Sequence, residues 1–197
     1  MEDQTTPVVS LLVPICNVER YLRECLDSAA AQTLRDIEII CINDGSTDGS
    51  LDIINEYVAR DSRFRAIDKS NSGYGDSMNQ GIAAARGTYI GILESDDFMF
   101  PDALEKLVAK AQQTNAQVVK GDFFLYWSTP VQRKELFGII DKPMLGDAYR
   151  PIDRPGIFYK KPSIWSAIYR RDFLNENSIR FLPTPGASYQ DAGFNFK

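Results

Sequence analysis

The sequence predicts an α/β fold: a mostly parallel central sheet with helices on both faces, and an irregular region laid over part of it. Three observations carry that prediction. Short apolar runs rich in β-branched residues alternate with segments whose apolar residues recur every three to four positions. Each of the first four runs ends in polar or turn residues. Seven of the ten prolines crowd between Thr129 and Pro185, where the alternation has stopped.

The elements follow in order. Val8 to Val13, VVSLLV, reads as a strand buried on both faces and stopped by Pro14. Val18, Tyr21, Leu22, Cys25, Leu26 and Ala29 have the i, i+3, i+4, i+7 spacing of one apolar helix face. A second strand, Ile37 to Ile42, leads to Asn43-Asp44-Gly45-Ser46-Thr47-Asp48, and Leu51, Ile54 and Val58 mark the next helix. A third, about Phe64 to Asp68, leads into Lys69-Ser70-Asn71-Ser72-Gly73-Tyr74-Gly75 and a helix from about Asp76 to Ala85. A fourth, Thr88 to Leu93, ends in ILESDD, three carboxylates within four residues. Pro101 suits the first turn of a helix because its missing N–H is not needed there, and Leu104, Leu107, Val108 and Ala111 share that helix's face. A fifth strand is expected over Gln117 to Tyr126. Parallel strands need crossovers, so the repeated alternation implies a parallel sheet with helices on both faces. After Trp127 one helical pattern remains, about Trp165 to Asn175. The chain stops at Asp191 to Lys197, within what reads as another helix, and this suggests a truncated protein.

Composition narrows the function. A chain of 197 residues, 44% hydrophobic and 25% charged, fits one globular domain. A net charge of −5 without clustered Lys and Arg argues against a nucleic-acid partner. No run reaches the roughly 18 apolar residues of a membrane span, and MEDQTTP lacks a signal-peptide pattern. Cys16, Cys25 and Cys41 form an odd set without metal-ligand spacing, the pattern of reduced thiols in a cytoplasmic protein. With no histidine, Ser-His-Asp and Cys-His nucleophile systems and imidazole metal sites are excluded. Acid–base chemistry must come from carboxylates, Lys or Tyr.

Open parallel sheets bind ligands at the carboxyl ends of their strands. Here that edge collects Pro14 to Asn17, Asp44 to Asp48, Lys69 to Gly73, and Glu94 to Asp97. Crowded carboxylates repel unless a cation neutralises them, and the hard ions Mg²⁺ and Mn²⁺ take oxygen ligands. The competing reading of ILESDD is a cap and first-turn acid pair for the next helix, but Pro101 lies four or five residues further on. Asp44 to Asp48 also suits a turn and cap through Ser46 or Thr47, which leaves Asp44 unaccounted for. Gly73, Gly75 and Gly81 match neither the P-loop nor the G-x-G-x-x-G spacing.

Taken together, three strings resemble the family 2 glycosyltransferases, inverting enzymes of the GT-A (Rossmann-like) fold that build bacterial polysaccharides. VSLLVPICNVERYLRECLDSAAAQTLRDIEIICINDGSTDGS is similar to the family's nucleotide-binding opening, and NSGYGDSMNQGIAAARGTYIGILESDD to its centre. SIWSAIYRRDFL with SYQDAGF is similar to its acceptor-side part. The resemblance implies a nucleotide-sugar-binding half over 1–127 and an acceptor-side part over 128–197. It implies transfer of a sugar, with inversion, from a nucleoside diphosphate sugar, UDP-linked, to a hydroxyl of a glycan or lipid-linked acceptor. It also implies a Mg²⁺ or Mn²⁺ cofactor and association with the inner face of the membrane.

The resemblance further implies roles residue by residue. Pro14, Cys16 and Asp44 would surround the base, with Asn17, Glu19 and Ser46 in the same nucleotide-binding set. Lys69, Asn71, Met78 and Asn79 would line the nucleotide and diphosphate. Glu94-Ser95-Asp96 stands at the D-x-D motif: Glu94 toward the ribose or the metal's water, Asp96 on the metal, Asp97 in support. Asp191 would be the general base, and Trp165 would shape the sugar and acceptor pocket. Three positions depart from the family: Cys16 for an aromatic residue, Glu94 for Asp, and Gln190 for Glu.

Rival readings are a nucleotidyltransferase, a signalling receiver domain and a non-catalytic nucleotide-sugar-binding relative. The first usually has a Gly- and basic-rich loop after the first strand, which Pro14 to Arg20 does not provide. The second has its acidic pair after the first strand and no place for the region beyond Trp127.

Overall fold

The computed structural model describes residues 6–139, 146–159, 161, 163–186 and 190–195. The first part of the chain alternates as the sequence predicts: β1 (Val9–Ile15), α1 (Glu19–Ala30), β2 (Ile37–Asp44), α2 (Ser50–Arg60), β3 (Phe64–Lys69), α3 (Tyr74–Ala84), β4 (Tyr89–Ile92) and α4 (Ala103–Thr114). Then come β5 (Val118–Lys120), β6 (Phe123–Trp127), β7 (Arg133–Phe137), β8 (Ala167–Arg170), α5 (Arg171–Glu176) and α6 (Gln190–Asn195). Six strands form one sheet in the order β3-β2-β1-β4-β8-β5. Strands β1 to β4 are mutually parallel, whereas β8 runs antiparallel to both of its neighbours.

Side chains of a strand alternate between faces, and the two cores follow that period. Val9, Leu11, Val13 and Ile15 of β1, with Ile37, Ile39 and Cys41 of β2, pack under α1, α2 and α4. Leu12, Ile40 and Ile42 point the other way, into a core shared with Met78 and Ile82 of α3 and with Ile164, Tyr169, Phe181 and Phe194. Gly81 lets α3 come close, since a Cβ there would lie 3.1 Å from both Leu12 and Ile42.

The structure corrects three boundaries. Pro14 does not stop β1, which runs on to Ile15 paired with β2. Its missing N–H is tolerated because the β4 ladder ends at Leu12 opposite Ile92. The expected fifth strand is two: β5 stays in the sheet, while β6 leaves it to form a two-stranded ribbon with β7. The break lies at Gly121-Asp122, where Gly121 N–H binds the Ser166 carbonyl and the Asp122 carboxylate accepts Ile139 N–H. The helix expected over Trp165 to Asn175 begins only at Arg171. Ala167–Arg170 is drawn instead into the gap between β4 and β5, and a short apolar run does not reveal that choice through its periodicity. The last helix matches the expected one as far as Asn195, and residues 196–197 lie outside the described residues. Among the described residues no helix is long and apolar enough to cross a membrane.

Candidate active site

The carboxyl ends of β1, β2, β3 and β4 meet at one edge, and two loops there lock each other. Asn17, at φ 52°, accepts Thr47 N–H on Oδ1 at 2.7 Å while its own N–H donates to Ser46 Oγ at 3.1 Å. Two residues on, Glu19 N–H donates to Asp48 Oδ2 and Glu19 Oε2 accepts Gly49 N–H at 2.6 Å. Asn17, Glu19 and Ser46 thus build the wall of the site. That wall and the acidic loop bound an open cleft of about 480 Å³ lined by Cys16, Asn17, Glu19, Asp48, Ser95 and Asp96.

A second cluster forms where β2 and β3 end. The Asp44 carboxylate binds the Lys69 ammonium and accepts Ser72 N–H at 2.8 Å and Gly73 N–H at 3.0 Å. Burial pushes its carboxyl up, but the Lys69 ammonium and the two N–H groups hold it below the usual range. Lys69 also binds Ser72 Oγ and lies 3.5 Å from Asp76. It is a paired, buried cation. Asn71 joins this cluster to β1, donating to the Asp44 carbonyl at 3.0 Å and to Cys16 Sγ at 3.5 Å. Cys16 is exposed, and Pro14 is buried in β1 just before it.

The acidic loop is a turn, with Asp97 N–H donating to the Glu94 carbonyl at 3.0 Å. It precedes α4 by several residues, and the acid in that helix's first turn is Glu105, so ILESDD is not a helix cap. Glu94 accepts the Tyr74 hydroxyl at 2.7 Å. Burial pushes the Glu94 carboxyl up to about 7; the Tyr74 hydrogen bond opposes this, and Asp96, Asp97 and Asp191 add to it by repulsion. Asp97 is raised by desolvation and then by Asp96, with Lys161 opposing. Asp191, in the first turn of α6, also raises the Tyr74 hydroxyl, behind the larger effects of burial and of Glu94.

Other residues of the expected set lie elsewhere. Met78 is fully buried in the core. Both ends of the Asn79 amide bind the Phe181 backbone at 2.9 Å, stapling residues 179–186 to α3. Trp165 packs edge-on against Phe123 at 4.4 Å. Gln190 is buried and donates to Thr184 Oγ1 at 2.9 Å. Sequence reasoning missed Tyr74, Ser72 and Asp76. The signal for the first was a tyrosine between two glycines where a helix begins.

The carboxylates of Glu94, Asp96 and Asp97 lie within four residues, and such crowding suits a hard divalent cation. Asp96 is exposed, and no hydrogen-bond partner is found for it among the described residues. Nor does any group of three His, Cys, Asp or Glu among them gather tightly enough to hold a metal alone.

A sheet of this order, with its acids at the carboxyl edge, is that of a GT-A glycosyltransferase, and the comparisons agree. Residues 10–177 match the profile of Glycosyl transferase family 2. The chain belongs to that family. It is 35% identical over 180 residues to the glycosyltransferase EpsJ of Bacillus subtilis, covering 89% of this chain and 51% of that protein. Against a chondroitin synthase of Pasteurella multocida it is 42% identical over 99 residues, 50% of this chain and 10% of the relative. Among solved structures, TarS 1–349 of S. aureus in complex with UDP-GlcNAc superposes with a TM-score of 0.76 at 24% identity, over 95% of this chain and 52% of the other. The mannosyltransferase PcManGT of Pyrobaculum calidifontis, in complex with GDP-Man and Mn²⁺, gives 0.66 at 16% identity, over 97% and 51%. This chain thus spans about half the length of EpsJ and of the TarS and PcManGT chains.

Proposed function

We propose that this chain is the donor-binding and catalytic part of a metal-dependent, inverting glycosyltransferase. It moves a sugar from a nucleoside diphosphate sugar, UDP-linked, to a hydroxyl of a glycan or lipid-linked acceptor in cell-surface polysaccharide synthesis. The observation that carries this reading is the acidic loop Glu94 to Asp97 at the carboxyl edge of β4, which bounds the cleft through Ser95 and Asp96 in a chain whose residues 10–177 match the family profile. The UDP-GlcNAc complex of TarS, the Mn²⁺ complex of PcManGT and the relation to chondroitin synthase support the donor, metal and product classes. Residues 1–127 supply the donor side and 128–197 the acceptor side, in the cytoplasm or at the inner face of the membrane.

The interlocked loops keep the cleft formed before donor arrives, which reduces the ordering cost of binding. Pro14, Cys16, Asp44 and Asn71 flank the base, and Asp44 keeps a second lone pair on Oδ2 beside the Gly73 N–H. Asp96 would hold the metal, and Asp97 would support that loop. A bound Mg²⁺ or Mn²⁺ supplies Lewis-acid stabilisation of the departing diphosphate. Asp191 takes the proton of the attacking hydroxyl, which for a positioned base contributes about 10²–10⁴ in rate. Direct attack inverts the anomeric carbon without a covalent enzyme intermediate.

The test is a thermal-shift panel of UDP-, GDP-, CDP- and dTDP-sugars with and without Mn²⁺, since specific binding raises apparent stability by mass action. A shift with UDP-sugar that needs Mn²⁺ is expected, and Asp96→Ala should remove the Mn²⁺ dependence. Asp191→Asn should lower turnover at least 100-fold and keep nucleotide binding. Retained turnover in that variant would sink the general-base assignment, and binding by wild type without any turnover would favour a non-catalytic relative.

A further inference from the structure

Tyr74, the first residue of α3, is held on three sides. Its N–H donates to the Gly186 carbonyl at 3.2 Å, its ring stands edge-on to Phe181 with centroids 5.9 Å apart, and its hydroxyl donates to Glu94 Oε1 at 2.7 Å. The flanking glycines keep this geometry tight. A Cβ on Gly73, whose φ is +92°, would lie 2.9 Å from the Thr184 carbonyl oxygen, and one on Gly75 would lie 2.0 Å from that of Leu182. Both neighbours are backbone, which cannot rotate aside as a side chain can. Residues 181–186 are therefore pressed onto the start of α3, and the phenol is left one direction, toward the acidic loop.

Glu94 needs such a restraint. Asp96, Asp97 and Asp191 all repel it, and among the described residues the Tyr74 hydroxyl is the one side-chain donor found on its carboxylate. An aspartate at this position would end about one C–C bond, ~1.5 Å, short. That would stretch the bond beyond hydrogen-bond reach. The glutamate that departs from the D-x-D pattern has the length this tyrosine requires.

We propose that Tyr74 is a positioning residue that fixes the Glu94 carboxylate toward the donor and ties it to the segment leading to Asp191. One side chain then sets the donor and acceptor sides relative to each other. This inference rests on the glycosyltransferase reading above.

The experiment compares wild type, Tyr74→Phe, Glu94→Asp and the double variant, by calorimetric titration with UDP in Mn²⁺ and by donor kinetics. Tyr74→Phe keeps the ring against Phe181 and removes only the hydroxyl. Loss of that hydrogen bond predicts about tenfold weaker UDP binding, and a similar rise in donor KM, for each single variant, with kcat much less changed. The double variant should be no worse than either single, because both remove the same bond. Wild-type UDP binding in Tyr74→Phe would overturn the inference alone, as would losses that multiply in the double variant or a fall in kcat equal to the loss of binding. A wild type that binds no nucleoside diphosphate would instead overturn the glycosyltransferase reading, and this inference with it.

Discussion

Asp44 is proposed above to flank the base, and its geometry predicts a large cost in stability when it is removed. Its side chain and that of Lys69 are 7% and 10% exposed, so the ion pair between them is buried. Asp44→Ala leaves the ammonium with Asp76 at 3.5 Å as its remaining carboxylate among the described residues, beside the neutral Ser72 Oγ and Ser70 carbonyl, and strips the acceptor from the N–H groups of Ser72 and Gly73. Removing one partner of a buried pair costs about 3–5 kcal/mol. At about 2–4 °C per kcal/mol for a domain of this size, the lower figure gives a melting temperature roughly 6–12 °C below wild type. Asp44→Asn, which keeps one oxygen, should lose about half of that. The sign of the pH dependence follows from the lowered folded value of this carboxyl. Its contribution is complete above the unfolded value of about 3.9 and disappears as pH falls through the folded one. The gap between wild type and Asp44→Ala should therefore stay constant from pH 6 to 7 and narrow below about pH 4. Circular dichroism melts at pH 7 and pH 3.5, with a UDP titration alongside, measure both effects. If Asp44→Ala melts like wild type while losing UDP affinity, the carboxylate serves base recognition only and the reasoning is refuted.

Two other substitutions probe the scaffold. Gly75→Ala adds a favoured helix residue, worth about 1 kcal/mol by propensity. It should nevertheless destabilise by about 1–2 kcal/mol net, because its Cβ overlaps the Leu182 backbone; a rise in melting temperature would show that residues 182–186 yield freely. Glu38, buried in β2, accepts from Ser10 Oγ at 2.5 Å and Arg86 N–H at 2.7 Å and lies within 3.3 Å of the Arg65 and Arg86 guanidinium groups. Those arginines are 39% and 53% exposed and can return to water, which puts Glu38→Ala nearer 2 than 5 kcal/mol. A chemical-denaturation midpoint unchanged from wild type would contradict it.

The parallel half of the fold was legible because each strand from β1 to β4 is an apolar run bounded by turn residues. Both signals are local. The site's edge was legible for the same reason, since parallel topology alone gathers the ends of β1, β2, β3 and β4. What could not be read was anything decided by a distant partner. Ala167–Arg170 becomes a strand because β4 and β5 leave a gap for it. Met78 and Asn79 turn to the core and to Phe181 because residues 179–186 pack onto α3. Lys69 reads as a cation for phosphate until Asp44 and Asp76 are seen to surround it. Tyr74 carries no motif of its own and gains meaning only from Glu94, twenty positions away.

The placement of β8 has a consequence for protein engineering. This strand, from the stretch after Trp127, is among the described residues the sole sheet neighbour of β5, and it is also the outer neighbour of β4. A chimera joined at Trp127, the divide proposed above between donor and acceptor sides, would have to import a foreign strand between β4 and β5. A cut placed after Glu176 keeps the native β8 and α5 with the sheet. Recombining donor and acceptor preferences among such enzymes should therefore succeed at a joint some fifty residues later than their division of labour suggests.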